Sequence, residues 1–492
     1  MELREIKNLN QRIYELDDKV NRDNKVIFIA TLCFCLKNIE FLNTSKLTSI
    51  IDFVDENKRP IDQLVDCAEN EIEKLNLQES TIKAVKDSLT TIRGANTNLD
   101  KKRNEFKNFI FDFITKWYIS IKPEDLFFET LYMEIDKKAN TKDGGIVLTP
   151  SFIAELMLDL AKVDYKKDIV ADLNSGTGLF SILAQSRMLS DLNKDFKNRR
   201  ITRDEKMQYE KRLFDSIIAN DNDAKMVTLS LANFLLKNIN ENLLFYNDVL
   251  KLEKSSFKVK EGNEEKRLQP TRAILNPPYE DKFKPLEIIE KNIQLIKNNN
   301  DENRLVVIVP PQKFGNNRAV FSKILNSARL EIVIKTQDDL FKDNKAGQPA
   351  SIFVFNTSRP HKKDDVIHYY NFTDTGYVYL KDSGLEDKNG TFNQKKANLL
   401  EKISNASNTI RKSEFLRTWN NFYEVDEEIE VDAQIDPSKI ATNKEEADVT
   451  LENIKVKKML EEKKKLIEST NNNFTDKNGS LEKYILDILS ED

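Results

Sequence analysis

A chain of 492 residues with 39% hydrophobic and 32% charged side chains can build two or three domains around a sizeable core under a very polar surface. A net charge of −5 excludes a polycation that grips nucleic acid by bulk charge, so such contact must come from local basic patches or a partner. With only two histidines, His361 and His368, a histidine general base of the hydrolase kind is not expected.

Residues 1–135 show helical spacing with almost no proline or glycine. Ile6, Leu9, Ile13 and Leu16 recur at three- and four-residue steps, as do Ile61, Leu64, Val65 and Ala68 after a helix-starting Pro60. Cys33 and Cys35 lie in the apolar run from Val26 to Leu36, which is far shorter than the ~20 residues that cross a bilayer. With no cysteine or histidine cluster near them they read as buried thiols, so no metal and no membrane association is expected. The first twenty residues carry no signal-peptide pattern, and a cytoplasmic protein is the expectation. Phe106 to Trp117 reads as one amphipathic helix whose aromatic stripe is core. These residues predict a helical domain without chemistry of its own.

A hinge at Asn140–Gly145 opens the second region, residues 136–375. Thr149 reads as the N-cap and Pro150 as the first residue of a helix to about Ala161. Ile169–Ala171 is a buried strand closed by Asp172, followed by a turn with Ser175, Gly176 and Gly178 and a helix from Leu179. Glycines there let a ligand approach the backbone closely, and an acid ahead of them suits a charged amino group; an ordinary strand–helix turn accounts for them equally well. The dinucleotide fingerprint is absent, because Ser181 stands where glycine or alanine is needed.

After a polar helical insertion, Gln185 to Leu213, strand Ser216–Ala219 ends in Asn220-Asp221-Asn222-Asp223. Asp221, nearer the strand end than Asp223, is placed to accept two ribose hydroxyls. A third strand, Leu243–Tyr246, ends at Asn247-Asp248, and a charged loop leads through Arg267 to a fourth, Ala273–Leu275. That strand stops at Asn276-Pro277-Pro278-Tyr279, at the carboxyl end where open α/β sheets bind ligands. The Asn276 amide and the Pro277 carbonyl form a polar hook for an exocyclic amino group, and Tyr279 offers a ring for stacking. A plain strand terminator is the alternative reading of those four residues. Strands at Leu305–Val309, Leu330–Ile334 and Ser351–Phe355 complete seven, alternating with helices such as Pro285–Ile296, which predicts an α/β fold.

Residues 376–492 show no second alternating sheet. They carry an acidic stretch, Glu424–Asp432, and a helical run, Val456–Leu466, which reads as a solvated helix or as a partner-docking one.

Taken together, DxxxGTG after strand one, an acid after strand two, Asp248 after strand three and NPPY after strand four resemble the S-adenosylmethionine-dependent amino methyltransferases. The preceding GIVLTP and the later AGQPASIFVF resemble the modification subunit of type I restriction-modification systems, over roughly Phe127 to Thr373. The resemblance implies a class I Rossmann-like fold with a seven-stranded mixed sheet, an N-terminal helical domain and a C-terminal helical tail. It implies N6 methylation of a flipped-out adenine in double-stranded DNA. S-adenosylmethionine would be held by Asp172, Ser175, Gly176 and Gly178 at its methionine part, Asp221 at its ribose and Asp248 at its adenine, with Thr149 and Pro150 flanking. Asn276, Pro277, Pro278 and Tyr279 would form the catalytic turn. A separate specificity subunit is the expected partner, with a restriction subunit as a further one. Leu148, Leu173 and Asn174-Ser175 depart from the family's usual residues, and Asp172 and Asp221 lie farther apart in sequence than the ~20 residues of a dinucleotide unit. An amino methyltransferase of protein glutamine or RNA, and a non-catalytic scaffold, are the alternatives.

Overall fold

The computed structural model describes residues 3–16, 22–36, 58–94, 102–122, 125–137, 148–261, 264–297, 303–342, 349–362, 365, 367–380, 384–405 and 429–430. The hinge at Asn140–Gly145, most of the acidic stretch at 424–432 and the helical run at 456–466 lie outside them.

Six helices precede the sheet: α1 (Leu3–Leu16), α2 (Arg22–Cys35), α3 (Pro60–Glu73), α4 (Glu79–Arg93), α5 (Arg103–Asp112) and α6 (Phe127–Lys137). Their apolar stripes face inward as the spacing requires: α1 buries Ile6, Leu9, Ile13 and Leu16, and α3 buries Ile61, Leu64, Val65 and Ala68. Cys33 and Cys35 are buried thiols. Among the described residues there is no cluster of metal-ligating side chains, and no helix is long and apolar enough to cross a membrane. The aromatic stretch is not one α-helix. α5 ends at Asp112 and the chain widens into a π-turn over Phe113–Trp117, which buries Phe113, Ile114 and Trp117.

The second region holds a sheet with helices between its strands. The strands are β1 (Val170–Asp172), β2 (Ile217–Asp221), β3 (Leu244–Tyr246), β4 (Lys258–Glu261), β5 (Glu264–Arg267), β6 (Arg272–Leu275), β7 (Arg304–Val309), β8 (Arg329–Thr336), β9 (Ser351–Asn356), β10 (His368–Phe372), β11 (Val378–Leu380), β12 (Gly384–Glu386) and β13 (Ile429–Glu430). Nine form the main sheet, in the order β13-β10-β8-β9-β7-β6-β1-β2-β3, and only β9 runs antiparallel to its neighbours. β6, β7 and β9 are buried along their whole length, as strands covered on both faces must be.

All seven strands read from the sequence form, and the sheet is wider than seven. β10 and β13 extend it beyond β8, and β10 mixes His368 and Asn371 with aromatics, so it lacks the unbroken apolar run that marks a central strand. The charged loop before Arg267 is a hairpin, β4 with β5, paired outside the main sheet.

The remaining helices are α7 (Ser151–Ala161), α8 (Leu179–Lys197), α9 (Arg203–Phe214), α10 (Ala224–Lys237), α11 (Pro285–Ile296), α12 (Gln312–Asn316), α13 (Arg318–Ser327) and α14 (Phe392–Asn405). The polar insertion is therefore the end of α8 and all of α9. Thr202 starts α9 in a capping box, its hydroxyl accepting from Glu205 N while Glu205 Oε2 accepts from Thr202 N.

At the amino ends of β1 and β6, the buried pair Asp168–Arg272 at 3.3 Å ties the strands together, and Thr271 Oγ1 donates to Asp168 at 2.8 Å. Chain beyond residue 375 folds back on α7. Tyr377 stacks on Phe152 with centroids 3.7 Å apart, and Lys396 pairs with Glu155 and Asp159, each at 3.3 Å.

Candidate active site at the carboxyl ends of the parallel strands

β1 pairs in parallel with β6 on one side and β2 on the other, so the carboxyl ends of all three open on the same edge. That edge carries Asp172 from β1, Asp221 from β2 and Asn276 just beyond β6.

The turn after β1 is built from both flanks. Gly176 and Gly178 have φ of 53° and 89°, in the left-handed region that L side chains disfavour. A Cβ on Gly178 would press on Ser230 Oγ at 3.3 Å, whereas one on Gly176 would meet nothing within 4 Å. Close packing demands the second glycine, and open space lies beside the first. Ser175 N donates to Asn220 O at 3.0 Å, Ser230 Oγ to Gly176 O at 2.7 Å, and Asn233 Nδ2 to Thr177 O at 2.8 Å. Asp221 completes the bracing: Oδ2 accepts from Gly176 N and Oδ1 from Asp223 N, each at 2.9 Å.

Asp172 is fully buried, and its Oδ2 accepts from Ser181 N at 3.2 Å and Ser181 Oγ at 3.0 Å. Ser181, the residue that breaks the dinucleotide fingerprint, thus holds the strand-end acid with a hydroxyl that glycine or alanine lacks. Asp172 Oδ1 is buried and has no hydrogen-bond partner among the described residues. Burial pushes this carboxyl up to about 7 against the pull of Ser181, with the charges of Asp221 and Glu129 adding to the rise. Burial likewise raises Asp221 to about 6, opposed by the backbone N–H groups it accepts.

Glu129 was not legible as a site residue. It comes from α6, in the helical part of the chain, and Thr177 Oγ1 donates to its Oε2 at 2.5 Å. Its Oε1 is buried without a partner among the described residues, and burial lifts the carboxyl to about 7. A single glutamate on a helix gives no signal before the chain is folded.

On the β6 side, Thr149 does not cap α7. Pro150 is the residue before the first turn, and no side chain caps it. The Thr149 hydroxyl instead accepts from Asn276 Nδ2 at 3.0 Å, which anchors the amide at the strand end. Tyr279 is covered rather than presented, at 8% exposure, with its ring edge-on to Phe341 at 5.7 Å and its hydroxyl without a hydrogen bond among the described residues. Asp248 sits two residues past β3, where Oδ1 accepts from Leu250 N at 3.0 Å and caps a short turn. Pro277 and Pro278 follow Asn276 as the strand stops.

A mostly parallel sheet with a glycine turn after β1, an acid after β2 and this carboxyl-edge site is the class I S-adenosylmethionine-dependent methyltransferase fold. Residues 124–449 match the N-6 DNA Methylase family, and the chain belongs to it. It is 28% identical over 267 residues to the type II restriction enzyme and methyltransferase RM.BcgI of Heyndrickxia coagulans. That match covers 52% of this chain and 38% of the relative, so the chain spans well under half the length of that protein. Among solved structures, a chain from a study of type I R-M system assembly and conformational transition aligns with a TM-score of 0.58 at 13% identity, covering 96% of this chain and 98% of that one. The methyltransferase subunit of a type I restriction-modification system from Streptococcus thermophilus aligns with a TM-score of 0.50 at 12% identity, covering 85% and 98%. At these identities the two structures are a likeness of fold.

Proposed function

We propose that this chain transfers a methyl group from S-adenosylmethionine to the N6 amino group of adenine in double-stranded DNA, as the modification subunit of a restriction-modification or related defence complex in the cytoplasm. The observation that carries the reading is the placement of the Asn276 amide, anchored on Thr149, on the same sheet edge as the Asp172–Gly178 turn and Asp221. The residues fit the cofactor. Asp172 Oδ1 is a buried acceptor without a donor among the described residues, and the space beside Gly176 is open. When bound, the cofactor supplies an electrophilic methylsulfonium.

The chain's own groups do the rest. Asp172, Ser175, Gly176 and Gly178 take the methionine part, Asp221 the ribose and Asp248 the adenine edge, with Pro150 beside Thr149 at the rim. The Thr149 bond fixes which side of the Asn276 amide presents the acceptor Oδ1. With the Pro277 carbonyl, that oxygen accepts from the target amino group and draws its lone pair out of conjugation with the ring. No strong base is needed, because the methylated ammonium is acidic. The base must leave the duplex, which costs a few kcal/mol, and its capture uncovers the Tyr279 ring for stacking.

We propose three regions: a helical domain at 1–135, the methyltransferase domain at 136–375, and an extension at 376–492 that contacts partners. The complex, incubated with labelled S-adenosylmethionine and unmodified DNA, should label adenine N6, and Asn276→Ala should abolish labelling while cofactor affinity stays near wild type. Labelling of RNA or protein glutamine in place of DNA would overturn the substrate.

A further inference from the structure

Three buried carboxylates surround the glycine turn. Asp172 and Asp221 end β1 and β2, while Glu129 reaches in from α6 and belongs to neither the sheet nor its turns. Asp221 is satisfied on both oxygens by backbone N–H groups. The other two are half satisfied: Thr177 holds Glu129 Oε2 and Ser181 holds Asp172 Oδ2, leaving Glu129 Oε1 and Asp172 Oδ1 buried with no donor among the described residues. Both carboxyls are tied to the same segment: Thr177 in the glycine turn holds Glu129, and Ser181, four residues on in the first turn of α8, holds Asp172. The described residues here form no metal-ligand cluster.

Two orphaned acceptors, one on each of the carboxylates tied to Thr177 and Ser181, call for a ligand group that is cationic and rich in N–H. An alkylammonium has three such donors on a compact positive charge, whereas a sulfonium has the charge and no donor. We infer that Glu129, supplied by the N-terminal helical region, binds the α-ammonium of the methionyl group of S-adenosylmethionine together with Asp172. The inference rests on the reading that this chain binds that cofactor. It makes the helical region part of the cofactor site. α6 is held for this task by its own packing: Phe127 and Phe128 are fully buried, and Asn10 Nδ2 of α1 donates to the Glu134 carbonyl at 3.2 Å. Thr177 then links Glu129 to the turn, so ligand and helix share one carboxylate.

The alternative role is purely architectural, with Glu129 bracing the turn through Thr177 and touching no ligand. Ligands of different length separate the two. S-adenosylmethionine carries both the sulfonium and the ammonium, S-adenosylhomocysteine keeps only the ammonium, and 5′-methylthioadenosine has neither. Calorimetric titration of the full-length chain with each, in wild type and Glu129→Gln, should show the first two weakened at least ~10-fold, the loss of a charge-assisted hydrogen bond. Methylthioadenosine should bind both proteins within about threefold, which also verifies that the variant is folded. If Glu129→Gln does not fold, Glu129→Asp, which keeps the charge on a shorter arm, carries the same comparison. Equal weakening of all three ligands would assign Glu129 to bracing and overturn the inference, as would unchanged affinity for all three. Weakening of S-adenosylmethionine alone would move Glu129 to the sulfonium and overturn the ammonium assignment. A wild-type chain that binds none of the three would overturn the cofactor reading, and this inference with it.

Discussion

Asn276 Nδ2 donates to Thr149 Oγ1 at 3.0 Å, joining residues from the end of β6 and the start of α7. The threonine that should cap a helix instead holds the amide at the start of the Asn276-Pro277-Pro278-Tyr279 turn, and α7 begins without a side-chain cap. Thr149→Val keeps the shape and removes the acceptor. Loss of this bond should cost about 1–3 kcal/mol of positioning, seen as a ~5- to 150-fold fall in kcat at saturating cofactor. Steady-state methylation kinetics test it; a wild-type kcat would show that the bond does not set the amide.

Asp221 accepts Gly176 N and Asp223 N, so its loss should loosen the turn as well as remove the proposed ribose acceptor. Asp221→Ala should weaken S-adenosylmethionine binding by about 1–3 kcal/mol, roughly 5- to 150-fold. Unchanged affinity in calorimetry would remove Asp221 from the pocket.

Burial holds Asp172 and Glu129 up at about 7 and Asp221 at about 6, well above the values near 4 of free carboxyls. The folded chain therefore keeps protons that the unfolded chain has already released between about pH 4 and 7. The contribution of these groups to stability is greatest at the acid end of that window and is lost as pH rises through it. Melting of the ligand-free protein from pH 5 to 8 should show Tm falling more steeply in wild type than in Asp172→Asn. Parallel profiles would contradict the burial of an ionisable Asp172.

Specific methylation requires groups that read base edges in a groove, because phosphate contacts alone are non-specific and salt-dependent. At a net charge of −5, this chain is expected to need a separate specificity subunit. The helical run around Ile454–Leu466 is the candidate dock, and it lies outside the described residues. Given genomic DNA and cofactor, the lone chain should leave no single methylated motif on sequencing, and a clean motif would refute the need for a partner.

Local patterns in the chain determined the fold class. Apolar runs closed by Asp172, Asn220-Asp221 and Asn276-Pro277 specify strand ends, because an unbroken apolar run wants burial on both faces and a proline pair cannot continue a ladder. The mixed strand β10 escaped that logic, since its pairing to β8 rather than its own pattern makes it a strand. Which groups share the site was decided only by tertiary structure. Thr149 and Asn276 are 127 residues apart and Glu129 and Thr177 are 48 apart. A hydroxyl or carboxylate has no periodicity to reveal its partner, and its role follows from the burial and donors that folding brings to it.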